Sequence, residues 1–187
     1  MKSAALIIFS VTALAQLAVP LWQIRTHEQV LEHGTIIRLK CRAPDPYDPL
    51  RGRFLAVRPE DTKVNLSTPA VLTPGESIFI TFTTDADGIS HPASRVAVPP
   101  ASGPYLRVNV TYTDLRECEF QWPFDRFYIN EELAPEADKW FAERIREKAG
   151  VIAEVRVLGG RAVLSDLKFE GKSFREILKE RVKGPGS

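Results

Sequence analysis

The chain has 187 residues, a formal charge of +1 and 44% hydrophobic residues. That near-neutral balance excludes the basic footprint of a nucleic-acid-binding protein, and the apolar content excludes a disordered chain. The length suits one domain of ordinary size with an added segment.

The added segment comes first. Only Ser10, Thr12 and Gln16 interrupt an apolar run from Ala4 to Trp22. At about 1.5 Å per residue the run reaches across a hydrocarbon core about 30 Å thick. Each large apolar side chain contributes on the order of −0.3 to −0.6 kcal/mol to insertion, Gln16 opposes it, and Trp22 stands at the outer end, where indoles prefer the interface. Residues 1–25 therefore read as a transmembrane anchor meeting the lipid bilayer through residues 4–22, with Pro20 falling where the membrane helix finishes. A signal peptide cut after Ala13-Leu14-Ala15 is the competing reading, and the two further apolar turns beyond that site favour the anchor. Both readings carry the rest of the chain out of the cytoplasm. Lys2 supports that direction and Arg25 weakens the charge asymmetry.

Residues 26–172 read as one extracytoplasmic domain. Polar helix continues from Thr26 and stops at Gly34. In "TIIRLKCR", Thr35, Ile37, Leu39 and Cys41 alternate with Ile36, Arg38, Lys40 and Arg42, the pattern of a half-buried strand with a basic outer face. Most of the 14 prolines lie between Pro44 and Pro135, so long helices are excluded from that stretch. Strands follow at "GRFLAVR", Ile78–Thr84, "SRVAVPP", "YLRVNVTYT", "LRECEFQW" and "DRFYIN", with a turn at "DADG". A helix spans "NEELAPEADKWFAERIREKAG", with Ala137, Trp140, Phe141 and Ile145 as its apolar stripe. A hairpin turns at Gly159-Gly160. Residues 173–187 form a short helix, marked by Phe174, Ile177 and Leu178, and a tail. The fold class is α+β: one mostly antiparallel domain behind a membrane helix, either an open sheet or a small β-barrel with a helix on one side.

Chemistry is harder to find. No Gly-x-Ser-x-Gly elbow occurs, and His27, His33 and His91 read as exposed polar residues, His91 in a loop beside Pro92. The histidines of "HEQVLEH" are six apart, so they diverge on a helix where a zinc pair stands four apart. "DADG" lacks the later ligands of a calcium loop. No cofactor or metal is expected. Cys41 and Cys118 form either a disulfide, permitted in an oxidising compartment, or two separate buried thiols, and their spacing leaves both open.

Two clusters stand out as surfaces. Phe120, Trp122, Phe124, Phe127 and Tyr128 read as core, with an aromatic ligand pocket as the alternative. Arg38, Lys40, Arg42, Arg51, Arg53 and Arg58 read as a solvated face with acids nearby, with contact to anionic headgroups or an acidic partner as the alternative.

The stretch "DPYDPLRGRF" concentrates conformational restriction. Each proline fixes its own φ and pushes its predecessor out of the α region, so the segment is a stiff crossover between strands. Gly52 to Pro59 lays onto the Gly-Asp-Tyr-x-x-Leu-x-Tyr pattern, with Gly52 identical, Phe54 and Val57 conservative, and Arg53 in place of the acid. With the N-terminal membrane segment, the "DRFYINEELAPEA" run and the closing hairpin, the chain resembles the GDYXXLXY protein family over most of its length beyond the anchor. The resemblance implies a bacterial protein at the cytoplasmic membrane and brings no mechanism; no role for the missing carboxylate carries over to Arg53. Asp45, Tyr47, Asp48, Arg51, Gly52, Arg53 and Phe54 are the candidate motif surface. The expected function is a single-pass accessory or binding domain on the outer side of that membrane, partnering a multispanning membrane protein. A tethered Ser/Lys hydrolase resembling a signal peptidase and a small-ligand sensor are the alternatives.

Overall fold

The structure, a computed structural model, describes residues 2–42, 54–66, 72–114, 116–130, 133, 135–137, 140 and 150–183. Side chains are described between Phe9 and Arg181.

Helix α1 runs unbroken over Lys2–His33, 32 residues, or about 48 Å. Pro20 lies inside it and does not end it. A proline interrupts one turn, and here the helix continues because its last turns pack on the body: Val30 is 2% exposed. Over the described side chains, which begin at Phe9, no helix is long and apolar enough to cross a membrane. The apolar run in the sequence begins five residues earlier, at Ala4.

The body is mostly antiparallel β. Its strands are β1 (Thr35–Arg42), β2 (Phe54–Ala56), β3 (Arg58–Pro59), β4 (Lys63–Asn65), β5 (Ser77–Thr84), β6 (Ser90–Val96), β7 (Tyr105–Thr113), β8 (Glu117–Gln121), β9 (Arg126–Tyr128), β10 (Val151–Leu158), β11 (Arg161–Phe169) and β12 (Lys172–Ser173), followed by α2 (Phe174–Lys183). One sheet has the order β12-β11-β10-β1-β3, a second β4-β8-β7-β5-β6, and β2 pairs with β9 as a separate ribbon. The edge strands of the second sheet, β4 and β6, approach each other and nearly close it into a barrel, and the first sheet packs against it. Leu106 of β7 bridges Gly160 at the β10–β11 turn and so links the two sheets, while the Phe120 amide, donating to Thr62 O at 2.9 Å, extends the β4–β8 pairing within one sheet.

Strand alternation builds the core. In β1, Ile37, Leu39 and Cys41 point inward as the sequence pattern predicts. They meet Ile78, Ile80, Leu106, Val108, Val110 and Phe120 from the opposing sheet in one contiguous cluster. A second aromatic knot joins α2 to this body. Trp140 lies 4.5 Å from Phe169 and 5.2 Å from Phe174, ring centre to ring centre. The residues from Pro135 to Ala137, and Trp140, are helical as predicted, and Ala137 and Trp140 are buried. Phe141 and Ile145 lie outside the described residues.

Three sequence expectations shift. "GRFLAVR" is two short strands in different sheets, because β2 pairs with β9 while β3 pairs with β1 across Arg42 and Arg58. The strand expected at Ser94–Pro100 lies at Ser90–Val96. Asp85 closes its turn so tightly, accepting from the Asp87 and Ile89 amides at 3.0 and 2.8 Å, that the chain returns at once. His91 and Pro92 therefore sit in β6, an edge strand, where a missing amide is tolerated. β4 was not legible, being three residues long, too short for an alternation signal.

Candidate functional site

Of the motif surface, Phe54 is described, whereas Asp45, Tyr47, Asp48, Arg51, Gly52 and Arg53 lie outside the described residues. Phe54 opens β2 opposite Tyr128 of β9, with ring centroids 5.9 Å apart. The Arg126 guanidinium stands 4.8 Å from the Phe54 ring. Leu55 and Val57 point into the core, and the Val57 amide donates to Asp125 O at 2.8 Å. The motif segment thus anchors a ribbon by its aliphatic residues and presents an aromatic–guanidinium face on which Tyr128 is 65% exposed. The predicted aromatic cluster splits by strand alternation. Phe120, Trp122 and Phe127 are core residues and Tyr128 is surface.

Where it is described, the basic set is a solvated face that is paired only in part, since Arg42 and Arg58 are exposed and have no ion pair among the described residues. Arg38 Nε donates to Glu154 at 3.0 Å and Lys40 Nζ lies 3.6 Å from Glu60. Lys168 Nζ joins Glu154 at 2.8 Å. Burial raises the Glu154 pKa, but the hydrogen bonds from Lys168 and Arg38 outweigh it, and the net shift is downward. Arg51 and Arg53 are outside the described residues.

Cys41 and Cys118 are free, buried thiols. They belong to different sheets, and each sulfur contacts a local carbonyl, Leu39 O at 3.6 Å and Glu119 O at 3.7 Å. Burial pushes the Cys41 thiol up to about 12 and also raises that of Cys118.

His91, expected as an exposed loop residue, is bridged. Nδ1 lies 2.8 Å from Asp61 and Nε2 3.2 Å from Asp85. Hydrogen bonds to Asp61 and then Asp85 raise its pKa. For Asp85, the Ile89 amide bond comes first and His91 second, and together they lower it. The bridge ties β6 to the β3–β4 connection at the seam of the barrel. The two carboxylates flank opposite nitrogens and do not converge, and among the described residues no group of three or more such side chains could hold a metal. Asp85 and His91 were findable as the two ends of one tight hairpin; Asp61 arrives only through the tertiary fold.

Next to that seam Trp122 donates its Nε1–H to Asp61 O at 2.9 Å, and its ring packs 6.2 Å from Phe82, 5.1 Å from Phe120 and 5.5 Å from Phe124. Trp122 also lines an open groove of about 300 Å³ with Arg107, Asn109, Gln121, Phe124 and Asp125. The Ser77 hydroxyl donates to Asn109 Oδ1 at 2.9 Å and accepts from Arg107 at 3.3 Å. Amides, a guanidinium and a carboxylate over an aromatic floor suit polar recognition; no serine, threonine, cysteine or lysine is among the lining groups.

The junction of α1 with the body is the most constrained site. Trp22, Thr26 and Val30 are spaced by one turn on α1, which contacts β10 and β11, and Val30 is buried. The Arg161 guanidinium stands 5.5 Å from the Trp22 ring centre. Gly34 alone separates α1 from β1, and its amide donates to Val30 O at 2.9 Å.

These features define the class: a mostly antiparallel α+β body joined without a linker to a long helix with an apolar outer surface. The family model described as GDYXXLXY protein matches residues 16–167, and the chain belongs to that family. Comparison with curated proteins and with solved structures finds no match.

Proposed function

We propose that α1 is a single-pass membrane anchor and that the body is an extracytoplasmic binding domain for a multispanning membrane protein. The observation that carries this reading is the surface of α1. Phe9, Val11, Leu14, Leu17, Val19, Leu21, Trp22 and Ile24 are each more than half exposed. Burying a large apolar side chain is worth roughly 1.5–3 kcal/mol, so eight left in water forgo on the order of 10 kcal/mol. A helix apolar around its circumference needs a surrounding of lipid or protein. Membrane residence meets that need on all sides.

The binding surfaces are the groove at Trp122 and the Phe54–Arg126–Tyr128 face. Both carry aromatic and guanidinium groups, the residue types enriched at protein interfaces. A tethered Ser/Lys hydrolase and a small-ligand sensor gain no supporting observation. Among the described residues no serine hydroxyl bonds a lysine amine, and the groove that Trp122 and Phe124 line is open and polar, not a closed apolar pocket.

A reporter active only outside the cytoplasm, fused after Ser187, tests the topology. Activity is expected, and a cytosolic reporter would refute the address. Removing Met1 to Trp22 is expected to release the body from membranes. Co-purification in mild detergent then identifies the partner.

A further inference from the structure

We propose that Trp22, Arg25 and Arg161 clamp the phosphate of an anionic phospholipid headgroup and so hold the body at the bilayer surface; this rests on the membrane-anchor reading of α1.

The first argument is position. No charged side chain occurs in α1 from Phe9 to Ile24, and Arg25 is the first charge beyond the apolar run. Trp22 and Arg25 are three apart and share a helical face. Trp22 is therefore at the depth where an indole meets headgroups.

The second argument is that a second guanidinium is delivered to the same depth by the fold. Arg161 begins β11 and pairs with Leu158 across the two-residue Gly159-Gly160 turn. Both glycines have positive φ, 58° and 77°, the conformation such a hairpin turn needs. Gly160 is fixed in turn: its carbonyl accepts from the Arg107 amide at 2.9 Å. A Cβ there would lie 3.0 Å from the Tyr105 ring. The hairpin tip therefore does not drift, and Arg161 is held over Trp22.

The third argument is charge. Among the described residues neither Arg25 nor Arg161 has a carboxylate partner, a state they share with Arg42 and Arg58, but only these two stand at the α1 junction. Two unpaired guanidiniums beside an interfacial indole match a phosphate, which a guanidinium fork binds through paired N–H donors. A basic residue near an anionic surface gains about fivefold in affinity.

The test uses the full chain reconstituted in vesicles of phosphatidylcholine alone and of phosphatidylcholine with phosphatidylglycerol. Amide hydrogen exchange is read at the hairpin tip and at the C-terminal half of α1. Phosphatidylglycerol is expected to slow exchange at both by at least about fivefold. The double variant Arg25→Gln/Arg161→Gln is expected to lose that difference. Should the variant fold poorly, high salt should erase the protection in the unmodified chain, because exposed ion contacts are screened. Equal exchange in the two vesicle types would overturn the clamp, as would protection retained in the double variant. Equivalent protection from inorganic phosphate with neutral vesicles would overturn the lipid assignment. Flotation with neutral vesicles reports the anchor separately: a chain that fails to float refutes the anchor, and one that floats but shows no lipid dependence refutes the clamp alone.

Discussion

Replacing Gly34 by alanine tests whether α1 and the body form one rigid unit. A Cβ at this position would lie 2.3 Å from Val30 O, 3.1 Å from Arg156 Cβ and 3.1 Å from the Val157 amide nitrogen. The nearest of these is backbone and cannot swing aside. The same carbonyl accepts the Gly34 amide, so moving it breaks the bond that closes the helix. Losing that hydrogen bond costs about 1 kcal/mol, and forcing a methyl into packed surroundings about 1–3 kcal/mol. The sum, on the order of 3 kcal/mol, corresponds to a fall in melting temperature of roughly 10 °C for a chain of this size. Gly150→Ala is the control, because a Cβ there meets nothing within 4 Å. Thermal unfolding of the full chain in detergent, followed by circular dichroism, reads both. A Gly34→Ala protein melting with the control would show that the junction is loose and that the fixed geometry argued for it is wrong.

Other outcomes follow from the same structure. His91 has a raised pKa, so its two carboxylate bonds stabilise the fold fully below the ordinary histidine pKa of about 6.5, and that contribution fades as pH rises through the raised value. With the side chain nearly half exposed, His91→Gln should cost no more than about 1 kcal/mol in mildly acidic buffer and less in alkaline buffer, as read by denaturant unfolding; a larger loss at alkaline pH would contradict the bridge. Cys41 and Cys118 should resist a thiol reagent in the folded protein and react only on unfolding, since burial suppresses both thiolates; rapid native labelling counted by mass would refute this. Phe174→Ala, which removes a fully buried ring packed on Phe169 and Trp140, should cost about 3–5 kcal/mol, whereas Tyr128→Ala, on the exposed ribbon face, should leave unfolding nearly unchanged and weaken partner capture instead.

Much of the body was legible because its signals are local. The alternation in "TIIRLKCR" and "YLRVNVTYT" reports which face is buried; β1 follows it from Ile37 onward and β7 from Leu106 as far as Val110, beyond which a register shift leaves Tyr112 exposed. The Gly159-Gly160 turn was readable because two consecutive positive φ values select glycine. The break in "GRFLAVR" was not, since its two halves alternate in phase and differ only in their partners. His91 was misplaced for a related reason. Its neighbour Pro92 signals a loop, and only an edge position in the sheet permits it in a strand.

The amino-acid order alone determined an apolar N-terminal helix, a strand-rich α+β body and membership of a family, because side-chain period, proline content and motif residues are properties of neighbouring positions. Tertiary structure alone decided that Asp61 meets His91, that Cys41 and Cys118 stay apart, and that Arg161 reaches Trp22. These outcomes concern residues 30, 77 and 139 positions apart. Such contacts depend on how sheets close on one another, and local sequence pattern carries no record of that closure.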